Sequence, residues 1–379
     1  MTGTPMSAGP ATGSDGDPDA ATARSVPEHY ARRSGVDRLR AGRFRGYGWV
    51  DLRKDVTAGL LLTALLLPAG MGYATASALP PETGLYATVA ALAMYALVGP
   101  SRVLVLGPDS ALAPLIAAAI VPLAAPGAGG GVERRVALAG LLALLVGGVL
   151  VVAGLLRLGL VSVLLSKPIR IGYHNGVVLV VAVGQLPTLL GFGGGSGEEL
   201  VGAFGTLLTG LGDGLVDPTA AAIGAASLAL IVGLRRWAPR VPGLLVTLGA
   251  TTGAVWAFGL DVPVVGGLPP GLPNPALGTL GWSDVTSLAA PALGVALVAF
   301  ADTGALSRSF AARRGDDVDA NRELAALGAA NLACGLSGGF PVSASSSRTP
   351  VAVAVGARTQ VTGMVGAVAV VLVHDRKDV

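Results

Sequence analysis

A chain of 379 residues with 52% hydrophobic and only 13% charged residues, at a mean hydropathy of +0.67, is too apolar for a soluble domain, in which about a quarter of residues are charged. A net charge of +3 with 4% aromatics lacks the clustered basic face and interleaved rings of a nucleic-acid binder. One cysteine, Cys334, excludes an internal disulfide, and the scattered His29, His174 and His374 offer no metal cluster.

Residues 1–47 are rich in Gly, Pro, Ser, Asp and Ala, then in Arg, without an apolar run. They read as a disordered cytoplasmic tail and carry no pattern of a cleavable signal peptide. Apolar runs then predict eleven membrane segments, at roughly 55–79, 83–98, 103–122, 135–156, 168–190, 218–234, 242–258, 284–309, 322–338, 342–356 and 359–373. A charged tail, 374–379, follows. Lys and Arg concentrate on alternate loops: Arg102; Arg157, Lys167 and Arg170; Arg235, Arg236 and Arg240; Arg308, Arg313, Arg314 and Arg322; Arg358. The opposite loops, 191–216 and 259–283, have none, and 191–216 reads as a long Gly-rich external loop. This asymmetry predicts a cytoplasmic amino terminus in a cell (inner) membrane. Arg134, Arg135, Arg376 and Lys377 break the pattern.

The third and tenth segments share an oddity. Gly107-Pro108-Asp109-Ser110 interrupts one, and Gly338-Gly339-Phe340-Pro341 followed by four serines and Arg348 interrupts the other. Each reads as extended backbone followed by a short helix starting inside the membrane, which is tolerated only when packed in protein or lining a cavity. Matching broken segments in two halves point to a transporter site. Seven segments separate them, so the second repeat is inverted and the half-helices meet at the midplane, their N-termini forming an anion-attracting pole. Simple kinks are the bland alternative.

Several blocks resemble the sulfate permease (SulP) family of anion transporters: Leu79-Pro80-Pro81-Glu82-Thr83-Gly84-Leu85-Tyr86, Gly99-Pro100-Ser101-Arg102, Gly107-Pro108-Asp109, and the run from Asn321 through Asn331 to Gly338-Gly339-Phe340-Pro341-Val342-Ser343 and Ser347-Arg348-Thr349. Gly172-Tyr173-His174-Asn175-Gly176 and Gly184-Gln185-Leu186-Pro187 resemble it too. The likeness covers about 48–373, read as one transporter domain. It implies an all-α polytopic membrane protein of two inverted seven-segment repeats and a core and a gate domain, usually followed by a STAS domain. Since the chain stops soon after the eleventh segment, the expectation is a second repeat truncated after its fourth segment, no STAS domain, and a chain that inserts but transports poorly.

The same resemblance implies substrate contacts from Tyr73, Ser110, Ala111, Ser345, Ser347 and Arg348, and a role for Asp302 in coupling to a proton or sodium. Residue chemistry fits these roles without requiring them. An arginine within a span needs a partner or water, either an anion or a structural pair with Asp302 or Asp109. Serines equally cap half-helices. Thr303 beside Asp302 would complete an oxygen-ligand sodium site, whereas Asp109 reads best as a half-helix cap. Glu82 and Arg102 read as anchors at segment edges.

The expected function is secondary transport of a small inorganic anion, sulfate first and bicarbonate next, by proton or sodium symport or by exchange. Alternatives are a nucleobase or carboxylate carrier of the same architecture and a non-transporting membrane remnant. The expected partners are the anion, the lipid bilayer and the coupling ion; a homodimer is left open. No phosphate-binding loop is present, so neither a cofactor nor an enzymatic activity is expected.

Overall fold

The computed structural model describes residues 47–124, 131–160, 167–192, 200–238, 241, 243–262, 280–315 and 318–375. The predicted tail at 1–47, apart from Tyr47, and the end of the charged tail at 376–379 lie outside the described residues.

Each of the eleven predicted segments coincides with a helix or a strand–helix pair. In chain order they are α1 (Trp49–Ala76), α2 (Pro81–Val98), β1 (Leu106–Gly107) with α3 (Ala113–Ile120), α4 (Gly131–Leu155) and α5 (Lys167–Leu189). After α6 (Leu200–Gly212) come α7 (Pro218–Trp237), α8 (Gly243–Phe258), α9 (Trp282–Arg314), α10 (Ala320–Leu336), β2 (Ser343–Ala344) with α11 (Arg348–Val355), and α12 (Val361–Asp375). Among the described residues, four helices are long and apolar enough to cross a membrane by length and composition: α1, α4, α7 and α9. The helices of the third and tenth segments are only eight residues each, because extended backbone takes up the rest of those segments.

Two expectations are corrected. The predicted external loop 191–216 contains α6, whose glycines hid an otherwise apolar helix, LVGAFGTLLTGLG. The predicted charged tail begins too early, since α12 runs through His374 to Asp375.

Local chemistry sets the helix ends. The Asp217 carboxylate accepts the N–H groups of Thr219 (2.8 Å) and Ala220 (3.3 Å) to start α7, and Asp319 does the same for Asn321 and Arg322 at the start of α10. Gly315, at φ 67°, ends α9 in the left-handed conformation that glycine adopts without strain.

The core is built on close backbone approach. A Cβ on Gly328 of α10 would lie 2.8 Å from the Gly147 carbonyl of α4, and one on Gly335 would lie 2.6 Å from that of Gly140. One on Gly154 would lie 2.9 Å from the Asn321 carbonyl. The pairings 140–335, 147–328 and 154–321 run antiparallel at seven-residue spacing. Small residues at such a seam let helices pack by van der Waals contact where lipid supplies no hydrophobic drive. Around the seam, Leu138, Leu142, Val146, Leu324 and Leu327 join Ile116 and Ile120 of α3 and Leu288 and Ala299 of α9 in the main apolar cluster. A second cluster, including Leu62, Leu66, Leu92 and Val370, joins α1, α2 and α12.

Candidate functional site

The two broken segments meet as a two-stranded antiparallel ladder, with Leu106 opposite Ala344 and Gly107 opposite Ser343. Ser345 N–H extends it by donating to the Val105 carbonyl at 3.0 Å. Buried side chains satisfy the backbone groups that the ladder leaves over. The Asn331 amide both accepts from Val342 N–H (2.9 Å) and donates to the Val342 carbonyl (3.1 Å). Thr303 Oγ1 accepts from Ala344 N–H and Thr349 Oγ1 from Val105 N–H, each at 3.1 Å. Gln360 Nε2 donates to the carbonyls of Ser101 and Leu104, each at 2.9 Å. Without such partners, irregular backbone inside lipid costs several kcal/mol per group. Sequence reasoning picked out neither Asn331 nor Gln360 for this work. A polar residue within an apolar run is the signal that could have found them.

Each strand leads into its half-helix. After β1, the Asp109 carbonyl accepts the N–H groups of Leu112 and Ala113, both at 3.2 Å, and its carboxylate accepts that of Ala111 at 3.3 Å. Asp109 therefore shapes the turn ahead of α3 and does not sit at the helix's own N-cap, which is Leu112. After β2, Ser345 Oγ accepts Arg348 N–H and lies against Ser347 Oγ, both at 3.2 Å. One hydroxyl thus caps α11, in keeping with the capping alternative for these serines.

A cavity of about 360 Å³ opens beside the ladder. Asp109, Ser110, Ala111, Asp302, Ala344 and Ser346 line it, with Ala305, Leu306 and Ser309 of α9 and Val178 of α5. The structure thus brings together four of the predicted site residues: Asp109, Ser110, Ala111 and Asp302. Thr303 is not among them, because it is fully buried and turned to β2. Successive helix residues point about 100° apart, whereas i+3, i+4 and i+7 share a face, and those positions from Asp302 are Ala305, Leu306 and Ser309. Ser345 and Ser347 do not line the cavity either, the first being buried in its cap.

Arg348 stands apart from the cavity as well. It is the largest of the fully buried side chains, at 1% exposure. Its Nη2 donates to the Pro108 carbonyl, and its Cζ lies 6.0 Å from the centre of the half-buried Tyr73 ring. Its Nε and Nη1 have no hydrogen-bond partner, and neither does the buried hydroxyl of Ser343. Arg348 forms no salt bridge with Asp302 or Asp109 among the described residues. Leaving a buried donor unpaired costs about 1–3 kcal/mol, more for a charged group.

Comparison with known proteins adds to this geometry. Residues 52–375 match the sulfate permease family. The chain is 44% identical over 335 residues to "Probable sulfate transporter MT1781" of Mycobacterium tuberculosis (strain CDC 1551 / Oshkosh), covering 87% of this chain and 58% of that protein. It is 32% identical over 339 residues to human Solute carrier family 26 member 6, covering 84% and 44%. The chain therefore spans about half the length of these curated relatives. Among solved structures, the transmembrane domain of the cyanobacterium bicarbonate transporter BicA aligns with a TM-score of 0.77 at 22% identity, over 87% of this chain and 84% of that one. The murine Solute Carrier 26 family member A9 anion transporter, in its inward-facing state, aligns with a TM-score of 0.77 at 19% identity, over 94% and 62%.

Proposed function

This chain belongs to the sulfate permease family, and from that premise we propose that it carries a small inorganic anion, sulfate first and bicarbonate next, across the cell membrane. The observation that carries the reading is Arg348. A buried guanidinium at the first turn of a half-helix, with two nitrogens unpartnered, is a positive field waiting for a negative ligand. Relatives named as sulfate transporters favour sulfate, and the fold likeness to a bicarbonate transporter keeps bicarbonate next.

In this reading Asp302 is the coupling group. In support of this, Asp302 lines the cavity and Arg348 does not, and on this reading the carboxylate takes a proton or sodium from solution separately from the anion. The amino terminus lies in the cytoplasm, following the Lys/Arg asymmetry. Equilibrium binding of radiolabelled sulfate and bicarbonate to the purified protein tests the site. Uptake into proteoliposomes under imposed proton and sodium gradients tests the carrier. Binding of either anion supports the reading, and binding of neither overturns it.

A further inference from the structure

Away from the ladder, a cavity of about 180 Å³ opens where the turn after α2 meets the last turns of α9. Ser101, Arg102 and Val103 form one wall, and Phe310, Ala311 and Arg314 form the other. Its flanks place it in the membrane. Leu97 and Val98, the last residues of α2, are 65% and 45% exposed, as side chains that meet acyl tails are. Just beyond them Arg102 is exposed as well, and so is Arg314 across the cavity. Both arginines belong to the loops on which Lys and Arg concentrate, which sets the cavity at the inner face, at the depth of the lipid headgroups.

The fold fixes both walls. A Cβ on Gly99 would lie 2.6 Å from the Tyr95 ring, so only glycine lets the turn close over that tyrosine. The Gln360 amide then holds the turn through the carbonyls of Ser101 and Leu104. Opposite, Gly315 ends α9 directly after Arg314, whose Nη2 donates to the Arg358 carbonyl at 3.5 Å. Carboxylates of the region are committed elsewhere. Asp51 pairs with Arg358 at 3.0 Å, and Asp319 caps α10.

We infer that this cavity binds the phosphodiester of an anionic phospholipid, held between Arg102 and Arg314, with its acyl chains along Leu97 and Val98. The planar guanidinium fork matches phosphate oxygens, and basic pockets between spanning helices at this face suit acidic headgroups. The volume narrows the class. Pockets for drug-sized ligands run to about 300–1,000 Å³, so this one takes a single phosphate with a compact substituent such as glycerol. The exposed apolar flank favours a phosphate tethered to acyl chains over a free one. This site is separate from the ladder and does not depend on the transport reading.

The test titrates the purified full chain, in neutral detergent, with phosphatidylglycerol or phosphatidylcholine and counts bound lipid by native mass spectrometry. Phosphatidylglycerol should bind at least about fivefold more tightly than phosphatidylcholine, and Arg102→Gln and Arg314→Gln should each weaken it by about fivefold. Arg235→Gln, an exposed arginine of another inner loop, should bind as the wild type does. Phosphatidylglycerol should also raise the thermal midpoint of the wild type and raise it less in Arg102→Gln. Equal midpoints without lipid separate lost binding from lost folding, and Arg102→Gln decides the matter if Arg314→Gln does not fold. Retention of phosphatidylglycerol by both pocket variants, or equal weakening by Arg235→Gln, overturns the site in favour of diffuse surface charge. Displacement of the lipid by millimolar inorganic phosphate or sulfate overturns the lipid as occupant. Sulfate binding and uptake are read separately, so each of these failures leaves the transport reading standing.

Discussion

Asp55 on α1 and Thr359, 304 residues later, are joined twice: the buried Asp55 carboxylate accepts both the backbone N–H (3.2 Å) and the hydroxyl of Thr359. The same carboxylate accepts Arg358 N–H at 2.6 Å and the Thr362 hydroxyl at 3.0 Å. A side chain from the first helix therefore anchors the turn that leads into the last described one, α12, close to the helix N-terminus, where a negative charge suits the helix dipole. Asp55→Ala strands several buried donors at once, and should lower stability in detergent by about 3 kcal/mol or more. Asp55→Asn keeps one carbonyl acceptor and should cost less. Unfolding midpoints of both variants check the order; equal midpoints for Asp55→Ala and wild type would refute it.

Glu323 ties three helices. Its carboxylate accepts the Tyr95 hydroxyl of α2 at 2.6 Å and the Ser307 hydroxyl of α9 at 2.8 Å, and all three residues are 1% exposed. Tyr95→Phe and Ser307→Ala should each destabilise by about 1–3 kcal/mol. Because both act through one carboxylate, a double-mutant cycle should show coupling of at least about 0.5 kcal/mol. Strict additivity would mean that the hydroxyls act independently.

The glycine seam predicts a contrast between two alanine substitutions. Gly328→Ala puts a methyl 2.7 Å from the Val151 nitrogen and 2.8 Å from the Gly147 carbonyl, backbone atoms that cannot swing away. It should destabilise by about 1–3 kcal/mol. Gly249→Ala meets nothing within 4 Å on α8 and should be neutral or stabilising by at most about 1 kcal/mol. Thermal unfolding of the two variants side by side decides the point.

Arg348 and Asp302 should separate functionally. Arg348→Ala is expected to weaken anion binding by at least tenfold. Asp302→Asn should spare most of the binding and abolish the response of uptake to a proton or sodium gradient. Equal loss of binding in the two variants would instead make them a structural unit.

Arg134, one of the residues that break the positive-inside pattern, pairs with Asp284 at 2.7 Å and donates from Nε to the Leu123 carbonyl at 3.3 Å. Its charge is compensated locally, so the orientation argument loses little by it. Cysteines placed at the exposed Ser283 and Arg322 should label with an impermeant reagent from opposite sides of the membrane. Cys334, the chain's single cysteine, is buried and should stay silent. Labelling of both positions from one side would reverse the topology.

The breaks in the third and tenth segments were legible because Gly-Pro and Gly-Gly-Phe-Pro are poor helix formers wherever they occur. Arg348 was legible because a cation inside an apolar segment is costly. Three things were not. Thr303 was paired with Asp302 by adjacency, yet adjacent helix positions face different ways, and the threonine turned to the β2 backbone. Arg348 was expected to meet either an anion or one of two aspartates, yet it spends a donor on the Pro108 carbonyl, a main-chain partner that side-chain bookkeeping overlooks. Asp55 does its work against backbone 303 residues away, and no local pattern announces such a pairing.

The ladder also carries a consequence in time. Val105 N–H finds its partner on Thr349, 244 residues later in the chain. At synthesis rates of about 5–20 residues per second, tens of seconds separate the emergence of the two. Throughout that interval the first broken segment has backbone groups that lipid cannot satisfy. It is therefore expected to remain with the insertion machinery, or sheltered against α1 and α2, until α10 and β2 arrive to receive it. Maturation of this protein should accordingly be late and abrupt, with protease resistance of the first half appearing only once the second half has been made.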